Sequence, residues 1–126
     1  MTANRPLAVP GGRSRYAYAL YATNDTYAVA AMVAVRALQR QGIRDDVDLV
    51  VLHLGIAPYL VDTMRGMGIL PLRVEPLPYV PDPYYRDCLV RLRVFQLVQY
   101  ERVVCFDVDA LPLKPLDGLF ALAFDA

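Results

Sequence analysis

The sequence predicts an α/β fold: a mostly parallel sheet with helices on its faces. Three observations carry this. Apolar runs of strand length alternate with segments of helical period along the chain. The runs Val50-Val51-Leu52 and Val103-Val104-Cys105-Phe106 are continuously apolar, as in strands buried on both faces. The hydrophobic fraction, 56%, is high for a soluble domain and fits such a core. With 126 residues the chain suits one modest domain, which would bury roughly two-thirds of the surface its unfolded chain exposes.

In order, Met1 to Arg15 reads as a flexible N-terminal tail punctuated by Pro6, Pro10, Gly11 and Gly12. Residues 16–126 form the folded unit. Tyr16 to Thr23 is the first strand. A helix follows from about Thr26 to Arg40, with Asn24 or Asp25 as N-cap and Gly42 as C-cap. Its apolar positions are Tyr27, Ala30, Val33, Ala34, Ala37 and Leu38. Asp48 to Leu54 is a second strand, Tyr59 to Met67 a second helix, and Leu72 to Leu77 a third strand.

Pro71, Pro76, Pro78, Pro81 and Pro83 make up five of the ten prolines. Proline supplies no ladder donor and opposes helix interiors, so Pro76 to Pro83 is a stiff, irregular connection. A third helix is expected from about Tyr85 to Gln99, with Cys88, Leu92, Phe95 and Val98 as its apolar face. Arg102 to Asp107 is the fourth strand, followed by an extended piece, Leu111 to Lys114, and a helical turn from Asp117 to Leu122.

Composition excludes several classes. Thirteen basic residues balance thirteen acidic ones, so no basic surplus argues for nucleic acid or an anionic membrane. No apolar run reaches the ~18 residues of a membrane span, and the N-terminus lacks the apolar core of a secretory signal. Cys88 and Cys105 give neither a disulfide framework nor zinc spacing; they read as small buried hydrophobes in a reducing compartment. A cytoplasmic location follows. No G-x-G-x-x-G, P-loop or Ser-His-Asp pattern is present. His53 reads as packed within a strand or at a sheet edge.

In open parallel sheets ligands sit beyond the carboxyl ends of the strands. Two polar features fall there: Thr23-Asn24-Asp25 after the first strand and Asp107-Val108-Asp109 after the fourth. If those strands are neighbours, both features share one crevice. Side chains two apart leave an extended chain on the same side. Asp107 and Asp109 can therefore clamp one divalent cation, completed by water and substrate phosphates. The bland alternative is a turn after a strand. A phosphatase of the haloacid dehalogenase type would want Gly-Thr after the second Asp, where Ala110 and Leu111 stand. Thr23 to Tyr27 is either a helix N-cap or a shelf for a base and ribose. Arg91 is either solvated or a diphosphate ligand.

The chain resembles glycosyltransferase family 8, the glycogenin and galactinol synthase group. The matching pieces are Tyr21-Ala22-Thr23-Asn24-Asp25-Thr26-Tyr27, then Arg91-Leu92-Arg93-Val94-Phe95, then Gln99 through Asp107-Val108-Asp109, with Leu113 to Phe120 closing the match. The resemblance implies a GT-A fold with a Rossmann-like sheet, a retaining transfer, a UDP-sugar donor and Mn2+ or Mg2+. It implies that Tyr21, Thr23, Asn24 and Tyr27 line the uridine pocket and that Arg91 meets the phosphates, where the family has Lys. Asp107, Val108 and Asp109 would form the donor motif, with Asp107 and Asp109 as metal ligands. Family members continue well beyond this motif, through a further metal-ligating His and the acceptor-side residues. The chain is therefore expected to be truncated, a donor-binding half. The acceptor, whether glycan, protein or small molecule, is left open, as is a homodimer. The alternative is a non-catalytic nucleotide-sugar-binding module or an inactive fragment.

Overall fold

The computed structural model describes residues 7–76, 82, 89–108 and 116–121. Four strands and two α-helices alternate: β1 (Tyr16–Ala22), α1 (Asp25–Gln41), β2 (Val47–His53), α2 (Pro58–Gly66), β3 (Ile69–Arg73) and β4 (Arg102–Cys105). A 3₁₀ helix, Leu89–Gln96, precedes β4, and a 3₁₀ turn, Asp117–Ala121, follows it. All pairings are parallel, in the order β3-β2-β1-β4. The chain steps outward from β1 to β3, then crosses back to lay β4 on the other side of β1. The order of strands thus reverses between β1 and β4, where open sheets of this kind part to form a ligand crevice.

Alternation along the strands builds two cores. Tyr16, Tyr18, Leu20 and Ala22 of β1 join Val47, Leu49 and Val51 of β2 on one face, under α1 and α2. Ala17 and Ala19 join Val50 and Leu52 on the other, under Val9, Leu97 and Tyr100.

The predicted order of elements holds, and several details are corrected. Helix α1 buries Ala28, Ala31, Ala34, Val35 and Leu38, while Tyr27 and Val33 face solvent. The large residues sit on β1, so α1 turns Ala28, Ala31 and Ala34, with Val35 and Leu38, toward the core, and Tyr27 and Val33 face outward. Strand β3 begins at Ile69, three residues before the expected Leu72, because Gly68 (φ +82°) turns the chain sharply out of α2. Pro71 is accommodated because β3 pairs on one side alone among the described residues.

The third helix is a 3₁₀ segment over Leu89–Gln96, and residues 97–99 are not helical; of the expected start at Tyr85, residues 85–88 lie outside the described residues. Its expected buried face is reversed. Phe95 is 79% exposed and Leu92 and Val98 are also exposed, whereas Arg93, Gln96 and Leu97 are buried. The Arg93 guanidinium donates to the carbonyls of Glu75 (2.9 Å) and Pro76 (3.1 Å) and to Gln96 Oε1 (2.9 Å). Those acceptors draw the polar side inward.

Strand β4 ends at Cys105 rather than Asp107. Cys105 is exposed, not buried, because β4 is the outer strand among the described residues; Cys88 lies outside them.

Residues 7–15, expected as part of a tail, lie against the sheet. Leu7 N–H donates to the Gln96 carbonyl (2.9 Å) and Val9 N–H to Gln99 Oε1 (3.1 Å). Arg13 and Ser14 N–H both donate to Asp48 Oδ2 (3.1 and 3.3 Å), which also accepts from the Tyr100 hydroxyl (2.7 Å). Val9 is buried.

Candidate functional site

The carboxyl ends of β1 and β4 lie side by side. Ala19 pairs with Cys105, and the Phe106 N–H donates to the Ala19 carbonyl at 3.2 Å, extending the contact one residue past the strand. The alternation of β4 continues through this exit. Phe106 and Val108 pack toward the helix-covered core, so Asp107 emerges between them on the opposite side. Tyr21 occupies that side on β1, with its ring against the second core. Its hydroxyl donates to Asp107 Oδ1 at 3.1 Å. The two expected features thus leave neighbouring strands, β1 and β4, and Tyr21, two residues before Thr23, is bonded directly to Asp107.

At the head of α1, Asn24 is the N-cap. Its Oδ1 accepts from Tyr27 N–H at 3.0 Å and its carbonyl from Ala28 N–H at 2.9 Å. Both readings of this stretch are therefore compatible, since the cap consumes the Asn24 oxygen and leaves its amide donors. Thr23 is half-buried; Asn24, Asp25 and Tyr27 are exposed around the N-terminus of the 17-residue helix, a location that favours anionic groups.

Two contacts at this end were not foreseen. Asp25 Oδ1 accepts from Ala57 N–H at 2.9 Å, tying the start of α1 to the loop after β2. His53, at the end of β2, is buried, and its Nδ1 accepts from Gly55 N–H at 3.1 Å. Burial first, and then the Arg73 charge, hold the imidazole below its usual 6.5. It is a packed histidine that shapes a turn, as expected. Asp25 carried a signal in its position at the first turn of a helix facing a neighbouring loop, but nothing local identifies Ala57 as its partner.

Arg91 lies in the 3₁₀ helix, and its side chain falls outside the described residues. Asp109 also lies outside them. Among the described residues no group of three metal-ligating side chains converges. The described contribution to a cation is thus one exposed carboxylate, Asp107. A separate cavity of about 330 Å³ lies along β4, lined by Glu101, Arg102, Val103, Val104 and Leu119, and includes neither Tyr21 nor Asp107.

No family model matches the chain. Solved structures match it closely in shape. The apo structure of the bifunctional glycosyltransferase WbbM superposes with a TM-score of 0.68 over 95% of this chain and 23% of that one, at 18% identity. This chain has a glycosyltransferase fold. The galactosyltransferase LgtC, with donor and acceptor sugar analogues, gives a TM-score of 0.60 over 85% of this chain and 42% of that one, at 19% identity. An active-site mutant of LgtC gives 0.59 over the same shares.

In sequence, the chain is 27% identical over 121 residues to glucose N-acetyltransferase 1 of Gibberella zeae, matching 86% of this chain and 27% of that protein. The chain therefore spans about a quarter of the curated relative it matches. The glycosyltransferase fold accounts for the β1/β4 crevice as the place to look for a ligand. Among the described residues no helix is long and apolar enough to cross a membrane. Neither the fold nor these relatives support the homodimer.

Proposed function

We propose that this chain is the donor-binding half of a retaining, cation-dependent family 8 glycosyltransferase that takes a UDP-sugar. The observation that supports it most is the Asp107 carboxylate at the β4 exit, bonded to Tyr21 of β1 at the point where the strand order reverses. Exposed carboxylate oxygens are hard donors, and a small divalent cation is commonly held by one or two of them together with substrate phosphates and water. Asp107 fits that role, with Asp109 two residues on as the second ligand. A bound Mn2+ or Mg2+ would neutralise the charge that develops on the diphosphate as the sugar bond breaks.

The chain's own residues supply the rest of the proposed site. Tyr21, Thr23, Asn24 and Tyr27 border the uridine, and the N-terminus of α1 favours the anion. Arg91 adds a fixed positive charge and a planar fork for phosphate oxygens. Acceptor selection is assigned to parts of a longer protein, and the location to the cytoplasm. The relative from Gibberella zeae is named for an acetyl rather than a glycosyl group; the acidic motif beside a helix N-terminus favours a diphosphate-bearing donor.

The test is calorimetric titration of UDP into the chain with and without Mn2+. Binding should require the metal, and Asp107→Ala should abolish the metal-dependent part while far-UV circular dichroism stays unchanged. Metal-independent binding, or an unaffected Asp107→Ala, would overturn the reading.

A further inference from the structure

Three tyrosine hydroxyls in the described fold donate to carboxylates, and one pair is unlike the other two. Tyr18 donates to Asp117, which also accepts from Arg44 N–H. Tyr100 donates to Asp48, which also accepts from Arg13 and Ser14 N–H. In both, the carboxylate fastens a separate segment to the sheet. Asp107, which accepts from Tyr21, takes no backbone N–H among the described residues and is exposed. This pair joins the exits of β1 and β4 and orients a carboxylate at the rim of the crevice.

We propose that the Tyr21 hydroxyl is a positioning group that sets the Asp107 carboxylate for a divalent cation, an inference that rests on the cation-dependent reading of the site. Asp107 stands two residues past the end of β4, so no sheet ladder fixes its rotamer. Tyr21 belongs to β1, which is paired on both sides, and its ring packs against the second core. A phenylalanine keeps the ring that packs against the second core and removes the hydroxyl. Donation to Oδ1 leaves that oxygen's remaining lone pair and both lone pairs of Oδ2 for a metal. Hydrogen bonds to a ligating carboxylate restrict its orientation, and losing such a partner typically costs 10- to 100-fold in metal affinity. The same residue can border the uridine with its ring and hold Asp107 with its hydroxyl.

The experiment is a titration of Mn2+ into the full chain with UDP present, followed by the electron paramagnetic resonance signal of free Mn2+, for the parent, Tyr21→Phe and Asp107→Ala. Tyr21→Phe should raise the half-saturating Mn2+ concentration roughly 10-fold. At saturating Mn2+ its UDP affinity should return to within about twofold of the parent, as a role in orienting a ligand requires. Thermal melting should confirm that it is folded.

A half-saturating Mn2+ concentration within twofold of the parent would overturn the positioning role. So would UDP binding weakened equally at every Mn2+ concentration, which would make Tyr21 a contact for the nucleotide alone. Asp107→Ala separates the two levels. If it abolishes Mn2+ binding while Tyr21→Phe changes nothing, the positioning role falls and the cation site stands. If Asp107→Ala also changes nothing, the cation site falls with it.

Discussion

The two faces of the sheet are covered in different ways. On one, α1 and α2 lay apolar side chains on Tyr16, Tyr18, Leu20 and Val51, and the fit depends largely on shape. On the other, the cover is a 3₁₀ helix and an extended segment, fastened by Arg93, Gln99, Asp48 and Tyr100 through hydrogen bonds to side chains and carbonyls. A regular α-helix satisfies its own backbone and needs the sheet only for apolar burial. An irregular cover leaves backbone groups that must find partners, so polar side chains enter the core to supply them. The second face also carries Tyr21, so the site stands on the side whose cover is held by hydrogen bonds.

Variants on the two faces should therefore fail for different reasons. The largest effect is expected on the helical face. Met64 of α2 is fully buried, and Met64→Ala should cost about 3 kcal/mol through lost burial and a residual cavity. Chemical denaturation measures this directly; a loss below about 1 kcal/mol would mean that α2 collapses into the gap. On the other face, Arg93→Met keeps much of the stem's bulk but leaves the Glu75 and Pro76 carbonyls and Gln96 Oε1 without their donor. The expected cost is about 2 kcal/mol, the scale of hydrogen bonds to a charged group. Amide hydrogen exchange should speed up in residues 89–96 and 7–15 while α1 keeps its protection. Loss of protection in α1 alongside them would show that the two faces fail as one unit.

The same contrast explains what the sequence made legible. The succession of strands and helices was readable because apolar runs and helical spacing report burial directly; residue type alone named the Gly42 C-cap and narrowed the N-cap to Asn24 or Asp25, of which Asn24 caps. The face of α1 was read in part: Ala34 and Leu38 of the expected set are buried, but Tyr27 and Val33 are exposed, and Ala28 and Ala31 take the close approach to Tyr16 and Tyr18 instead. Spacing defines a stripe, and the partner's side-chain sizes choose which stripe turns inward. The 3₁₀ helix was misread for another reason. Leu92 and Phe95 do share a line, but the buried line contains Arg93, whose acceptors on Glu75 and Pro76 lie far away in sequence, and Gln96, which accepts from Arg93.

At the candidate site, Asp107 and the Thr23-to-Tyr27 stretch were expected at strand ends, and the strand order makes the strands they follow, β4 and β1, neighbours. That Tyr21 would reach Asp107 could not be read locally, since the contact spans two strands separated by most of the chain. Once β1 and β4 are known to be neighbours, alternation places both side chains on one face.

The smallest expected effect isolates the polar fastening of the extended segment. Burial, and then the hydrogen bond to Asp48, push the Tyr100 phenol above its usual value of 10. A group whose pKa is raised in the folded state adds stability below its unfolded value and loses it as pH climbs past that value toward the folded one. Stability should therefore decline above about pH 10 as Tyr100 is forced to ionise. Tyr18, raised by burial and by Asp117, contributes to the same decline from the helical face. Tyr100→Phe should cost about 1.5 kcal/mol at neutral pH, the scale of a hydrogen bond to a charged group. It should also make the alkaline decline shallower, because one raised phenol is gone. Denaturation of the parent and Tyr100→Phe between pH 8 and 11 checks both expectations. If the two curves run parallel, the segment is held by the buried Val9 side chain rather than by the Asp48 cluster, and the second face is fastened by shape, like the first.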